Sequence, residues 1–248
     1  MLHFVENNGD SRPDRNGETW LIRQLIAHRI MVNSSEPMVI FDVGANVGDY
    51  TRMALREARA ARCPIEVYAF EPCPRNCEIL RRNFTADSNV RISCVAVADK
   101  REQRSLYSER PGSSQASLVK RSTLELADLE EVRVPAIRLD EFMTTENITR
   151  LDILKLDIEG AELAALQGLG DRLEASVVEV IQFEYGGTAL DAGTTLKNFY
   201  QLLIERGYAV AKLFPHSLEL RPYHVWMEHY AYANYVALSP KLLRAVMA

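Results

Sequence analysis

Two charged side chains stand where a folded chain rarely keeps them. The stretch LDILKLDIEGAE (151–162) opens as an apolar β-strand, yet Lys155 and Asp157 interrupt it. Strand alternation places Ile153, Lys155, Asp157 and Glu159 on one face, and Leu154, Leu156 and Ile158 on the other. A strand covered on both sides should be apolar throughout, and an ionised group survives burial when it is paired. A second run, SVVEVIQFEY (176–185), puts Gln182 and Glu184 on a common face. Neighbouring strands lie about 4.8 Å apart, so adjacency of these two lets Lys155 pair with Asp157 or Glu184. An ion pair that merely ties two strands together would look the same. The carboxyl end of a parallel strand is where ligands bind, however, and that position favours a reacting role. Asp157 and Glu184 are therefore candidate proton acceptors, and Lys155 the group that orients the carboxylate and lowers its pKa.

The second stretch with chemical content is FDVGANVGDYT (41–51). An apolar run ends in Asp42, and Gly44, Asn46 and Gly48 follow at alternate positions. A phosphate-binding P-loop needs Gly-Lys-Ser/Thr here, but Asp49 follows Gly48. A nicotinamide-dependent oxidoreductase, the competing reading, needs G-x-G-x-x-G, and the third glycine is missing. A G-x-G-x-G loop with asparagine in the middle fits better, because asparagine is the side chain that best tolerates positive φ. Such a loop holds S-adenosylmethionine (SAM), which carries no phosphate and needs no lysine. On this reading Asp42 carries its charge near the amino group of the cofactor. Glu71, ending the next strand, accepts both ribose hydroxyls. Val95 and Ala96, after the third strand, flank the adenine.

The surrounding pattern supplies a scaffold for these groups. Apolar β-rich runs at 38–44, 65–72, 90–99, 151–160 and 176–185 alternate with helical patterns at 49–61, 74–84, 161–169 and 194–207. That alternation predicts a parallel sheet with helices on both faces. Two final strands, 208–214 and 234–239, have no helix between them, so the last is expected to be antiparallel. Extra strands near 104–109 and 132–142, around a small helix at 121–131, form an insertion over about 100–150. With a helical lead-in over about 1–36, the expectation is one domain across 1–248. Its fold is α/β and Rossmann-like, of the class I methyltransferase type. The sheet is mostly parallel and seven-stranded, with extra strands between the third and fourth core strands.

Composition excludes several partners. The 248 residues carry a formal charge of -5, whereas a protein that grips a nucleic-acid backbone shows a basic field. No apolar run reaches the length of a membrane span, and the first twenty residues lack the apolar core of a signal peptide. A cytoplasmic protein is the resulting expectation. Cys63, Cys73, Cys77 and Cys94 have no second Cys or His pair at zinc-site spacing, and they read as reduced thiols. Asp157, Glu159 and Glu184 have oxygens suited to a divalent metal, but no metal is expected. His216, His224 and His229 lie between the last two strands and offer a further candidate base.

Taken together, FDVGANVGDYT, YAFEPCPRN, AVADK, KLDIEGAELAALQG and IQFEY resemble the FkbM-type methyltransferases, in order and over roughly residues 38–240. Asn16-Gly17-Glu18 also looks like that family's lead-in. The K-x-D-x-E-G-x-E segment is the most specific of these matches. The resemblance implies a SAM-dependent O-methyltransferase acting on a small molecule, such as a macrolide, or on a sugar or glycan. An amine or protein acceptor is the alternative within methyl transfer. It also implies that Asp42, Gly44, Asn46 and Gly48 form the SAM loop, with Glu71 on the ribose and Asp157 beside the transferred methyl.

Overall fold

The computed structural model describes residues 7, 12–108, 112–113, 115–120 and 129–246. A lead-in helix, α1 (Glu18–Met31), precedes β1 (Met38–Val43), α2 (Asp49–Ala60), β2 (Ile65–Phe70), α3 (Pro74–Asn83) and β3 (Val90–Ser93). After an inserted region come α4 (Leu139–Thr145), β7 (Leu151–Leu156), α5 (Glu162–Gln167) and β8 (Val178–Tyr185). The chain ends through α6 (Gly187–Asp191), α7 (Leu196–Glu205), β9 (Ala209–Phe214), β10 (Ser217–Leu220), β11 (Ala233–Leu238) and α8 (Pro240–Val246). The large sheet has the order β10-β9-β11-β8-β7-β1-β2-β3. Strands β3, β2, β1, β7 and β8 run parallel, and β11 lies antiparallel between β8 and β9. These strands form the expected class I methyltransferase sheet. An eighth strand, β10, extends it as a hairpin from β9.

Strand and helix periodicities agree on which face each residue buries. Met38, Ile40, Ile153, Val180 and Val236 face α1, α2 and α3 through Leu21, Ile22, Met53, Ala54 and Leu80. Phe41, Val43, Leu154, Leu156, Ile181 and Phe183 face α4, α5 and α7. Phe183 stacks on Phe199 of α7 with centroids 4.6 Å apart, a geometry that adds to simple area burial. Glu228, in the long excursion before β11, accepts from the backbone N–H groups of Leu196 and Lys197 at the start of α7. It thereby satisfies two donors that a helix leaves unpaired at its N-terminus. Tyr185 and Tyr223 donate their hydroxyls to the same carboxylate, which fixes the excursion against β8.

Three local features depart from the sequence expectation. The run expected at 90–99 divides, because the chain leaves the large sheet after Ser93. Ala96–Val97 (β4) then pairs with β6 (Glu130–Ile137), and β5 (Glu102–Ser108) completes a separate small sheet of order β4-β6-β5. The helix expected at 121–131 lies mostly outside the described residues, and its last two positions, Glu130 and Glu131, already belong to β6. Cys77 and Cys94 are joined as a disulfide rather than free thiols, while Cys63 and Cys73 are free and buried. Spacing alone did not reveal this pair. It forms because parallel β–α–β wrapping sets the first turns of α3 against the end of β3.

The disulfide closes a loop with a separation of 17 residues, a size for which about 3 kcal/mol of stabilisation is typical. Cys77→Ser should therefore lower the thermal midpoint in non-reducing buffer. Dithiothreitol should lower the wild type in the same way and leave the variant unmoved.

Candidate active site

The site begins with Lys155. It lies on β7, flanked in register by Asp42 on β1 and Gln182 on β8, and is only 5% exposed. Its ammonium lies 3.1 Å from Asp157 Oδ2 and 3.8 Å from Asp42 Oδ1, above the Tyr50 ring with the centroid 5.0 Å away. Burial alone would lower its pKa. The carboxyls of Asp157, Asp42 and Glu18 outweigh burial and hold it well above the usual lysine range. Asp42 is fully buried and accepts from Thr51 Oγ1 at 2.7 Å. Glu18, the first residue of α1, accepts from Gln182 Nε2 at 2.6 Å and from Asn16 Nδ2 at 3.1 Å. Burial pushes both Glu18 and Asp42 up, against the Lys155 charge.

Asp157 follows the end of β7, with its side chain 37% exposed. Burial would raise it, but the Lys155 charge and a hydrogen bond with Glu184 overcome that and hold it below the usual carboxylate range. Glu184 moves the other way. Burial, then the Asp157 charge and the shared hydrogen bond, push it well above the ordinary value. The opposite directions favour the charge on Asp157 and the proton on Glu184 where the pair shares one. Beyond Asp157 the strand alternation fails, because Glu159 adopts a left-handed φ of 56°. Glu162 accepts from the N–H groups of Ile158 and Gly160 and fixes that turn.

A cleft opens beside these groups, enclosing about 490 Å³ when the open solvent at its mouth is included. Gly44, Asn46, Glu71, Val95, Ala96 and Asp157 all line it, and among the described residues no lysine or arginine does. Gly44 (φ 89°) passes so close to β7 that a Cβ there would lie 1.8 Å from the Asp157 carbonyl oxygen. Asn46 has φ 50°, and its N–H donates to Glu71 Oε2 at 2.8 Å. Cys73 N–H donates to the other oxygen, Oε1. Even so, burial pushes Glu71 up to about 7. Gly48 (φ 94°) starts α2 away from the cavity, where a Cβ would meet the Phe84 ring at 2.2 Å. Asp42 likewise sits beneath the cavity rather than in its wall. His216, His224 and His229 are exposed and do not line it.

Residues 42–210 match the methyltransferase FkbM domain. The chain belongs to the FkbM methyltransferase family. Among curated relatives, Methyltransferase 1 of Beauveria bassiana is 26% identical over 189 residues, covering 69% of this chain and 72% of that protein. The 2-O-methyltransferase NoeI of Sinorhizobium fredii is 25% identical, covering 79% and 83%. The hexuronic acid methyltransferase AglP of Haloferax volcanii is 22% identical, covering 68% and 67%. A solved FkbM methyltransferase from Methylobacillus flagellatus aligns at 15% identity over 81% of this chain and 43% of that one, with a TM-score of 0.49.

This FkbM-family chain is thus a methyltransferase, and its cofactor is SAM. The cavity suits that cofactor. It offers acidic groups and apolar strand ends to a cationic nucleoside, and its described lining holds no basic side chain. Among the described residues, no group of three or more His, Cys, Asp or Glu side chains is arranged to hold a metal ion. No helix among them is long and apolar enough to cross a membrane.

Sequence reasoning alone did not place Glu18, Asn16 or Tyr50 at the lysine. The Asn16-Gly17-Glu18 motif was the sole signal, and Glu18 reaches Gln182 across 164 residues of chain. Lys155→Met should show that these groups form one unit. It strands buried carboxyls without their cation, and removal of one partner from a buried pair costs about 3–5 kcal/mol. Buried carboxyls relieved of the cation have raised pKa values, so protonation on lowering the pH favours the folded variant. Urea unfolding should accordingly show the gap from wild type narrowing as pH falls.

Proposed function

We propose that the protein transfers a methyl group from SAM to a hydroxyl of a small-molecule or glycan acceptor, with Asp157 as the general base. The observation that carries this reading is the placement of Asp157, which lines the cavity with its side chain 37% exposed and lies 3.1 Å from the Lys155 ammonium. The opposite pKa directions of Asp157 and Glu184 support it by favouring the charge on Asp157. When bound, SAM supplies a methyl group activated by its sulfonium. The residues of this chain then have to hold the cofactor, place the acceptor oxygen in line and receive its proton. Gly44 and Asn46 would carry the loop past the amino-acid tail, Glu71 would hold the ribose, and Val95 and Ala96 would flank the adenine. Asp42 would act one layer below, by fixing Lys155 and the first turn of α2. Lys155 steers the charge onto Asp157, so that the carboxylate faces the acceptor as an ion without an added proton.

The relative named as a 2-O-methyltransferase supports a hydroxyl acceptor. The acidic wall formed by Asp157 and Glu159 favours a neutral or cationic molecule over a polyanion. Amine and protein acceptors belong to the same test, in which transfer of labelled methyl from SAM is followed across hydroxylated, amino and peptide acceptors. Transfer to a hydroxyl compound is expected. Asp157→Asn should lower kcat by at least about 100-fold while S-adenosylhomocysteine (SAH) binding persists. Undiminished turnover in that variant removes Asp157 from the chemistry, and transfer only to amines replaces the acceptor class.

Glu71 gives the reading a second test. A carboxylate accepts ribose hydroxyls, whereas a protonated acid offers one acceptor fewer and a competing donor. With its pKa raised to about 7, Glu71 loses its charge as the pH falls through neutrality. SAH affinity should then fall by up to about tenfold per unit below that pKa, as measured by calorimetry. Glu71→Gln should bind more weakly and lose this dependence. The same slope in both proteins would assign the titration to another group.

A further inference from the structure

The lining of the cofactor cavity comes from different parts of the chain. Val95 and Ala96 contribute from the connection after β3 and the start of β4. Leu106 of β5 and, from the segment that follows, Ser113, Ala116 and Leu118 contribute beside them. This segment is sewn down at three points. Tyr107 and Ser117 exchange both backbone hydrogen bonds, at 2.8 and 2.9 Å. Asn76, in the first turn of α3, donates from Nδ2 to the Ser113 carbonyl at 3.4 Å. Ser117 Oγ donates to the Glu159 carbonyl at 2.7 Å and accepts from the Val119 N–H at 2.9 Å. Ser117 is 2% exposed, although its neighbour Gln115 is exposed. Its hydroxyl is a buried fastener within an otherwise polar surface segment.

We propose that Gly112, Ser113 and residues 115–119 form a strap that lines the adenine slot, and that Ser117 latches it to the turn carrying Asp157. The inference rests on the cofactor placement proposed above. A flat, weakly polar ring seated against Val95, Ala96, Leu106, Ala116 and Leu118 would lose water from most of its surface. Without the strap, part of that surface stays wet. The latch partner is the carbonyl of Glu159, two residues beyond Asp157 and in the left-handed conformation. Closing the strap therefore also braces the turn that presents the proposed base. Departure of the nucleoside requires this fastener to open, so the strap sets the rate of cofactor release as well as the affinity.

Stopped-flow dissociation and equilibrium binding of SAH and of adenosine test the strap, in wild type and in Ser117→Ala, Leu118→Ala and Leu118→Met. Loss of one hydrogen bond should speed SAH release from Ser117→Ala about fivefold. Leu118→Ala should weaken SAH and adenosine alike by about tenfold, from lost apolar contact. Leu118→Met, which conserves volume, should restore most of that. Thermal midpoints should fall somewhat in Ser117→Ala and Leu118→Ala, because Ser117 is buried and Leu118 packs against the cluster around Leu106 and Ala136, and release is compared at a temperature where every variant is folded. If the wild type binds SAH but every variant releases it at the wild-type rate, the strap proposal fails while the cofactor placement stands. If Leu118→Ala weakens SAH but not adenosine, the strap does not touch the base and the proposal is again overturned. A wild type that binds neither ligand overturns the placement and the strap with it.

Discussion

A lysine ammonium buried at the top of a parallel sheet is the constraint on which the rest of this structure depends. Taking an ammonium out of water costs several kcal/mol unless countercharges surround it closely. Lys155 obtains them from Asp42 on β1, Asp157 beyond its own strand and Glu18 on the lead-in helix. Each demands a piece of architecture. β1 and β7 must be neighbours in one register, α2 must bring Tyr50 and Thr51 over the sheet, and α1 must dock with its first residue inward. The lysine thus fastens two helix starts and two strands at the switch point of the sheet, where ligands of open α/β folds bind.

One ammonium facing several carboxyl groups leaves the region short of positive charge. The structure answers by dividing the acids. Asp157, beside the lysine, keeps its charge, while burial pushes Glu18, Asp42, Glu71 and Glu184 towards the protonated form. Such a site is poised for a cationic ligand, and a SAM-dependent methyltransferase binds a sulfonium. The same shortage of positive charge that destabilises the empty site becomes favourable once that cation arrives. The charged groups at the lysine come from the large sheet and the lead-in helix, whereas part of the cavity lining comes from the inserted sheet and the segment after it, as expected when function is grafted onto a shared fold.

Much of this was legible in the sequence because its signals were local. Lys155 and Asp157 stood out by breaking an apolar strand, Glu71 by ending one, and Gly44, Asn46 and Gly48 by their spacing. The parallel order followed from alternating periodicities. Groups that act across long separations were hidden. Nothing local tells that Glu18 meets Gln182, that Cys77 meets Cys94, or that Ser117 meets the Glu159 carbonyl. The placement of Asp42 is instructive for the same reason. Its position in the loop was plain, but its direction, towards Thr51 and Lys155, depends on how α2 and β7 pack. The split of the run at 90–99 escaped notice because both halves are apolar, and the pairing partner of the second half lies more than thirty residues away in β6.

The central claim is that Lys155 places the charge of the carboxyl pair on Asp157 and leaves the proton on Glu184. Carbon-13 NMR of side-chain carboxyls reads this directly, with the two signals assigned through Asp157→Asn and Glu184→Gln. The account predicts that at about pH 7 Asp157 is ionised and Glu184 protonated. A protonated Asp157 beside an ionised Glu184 would contradict it.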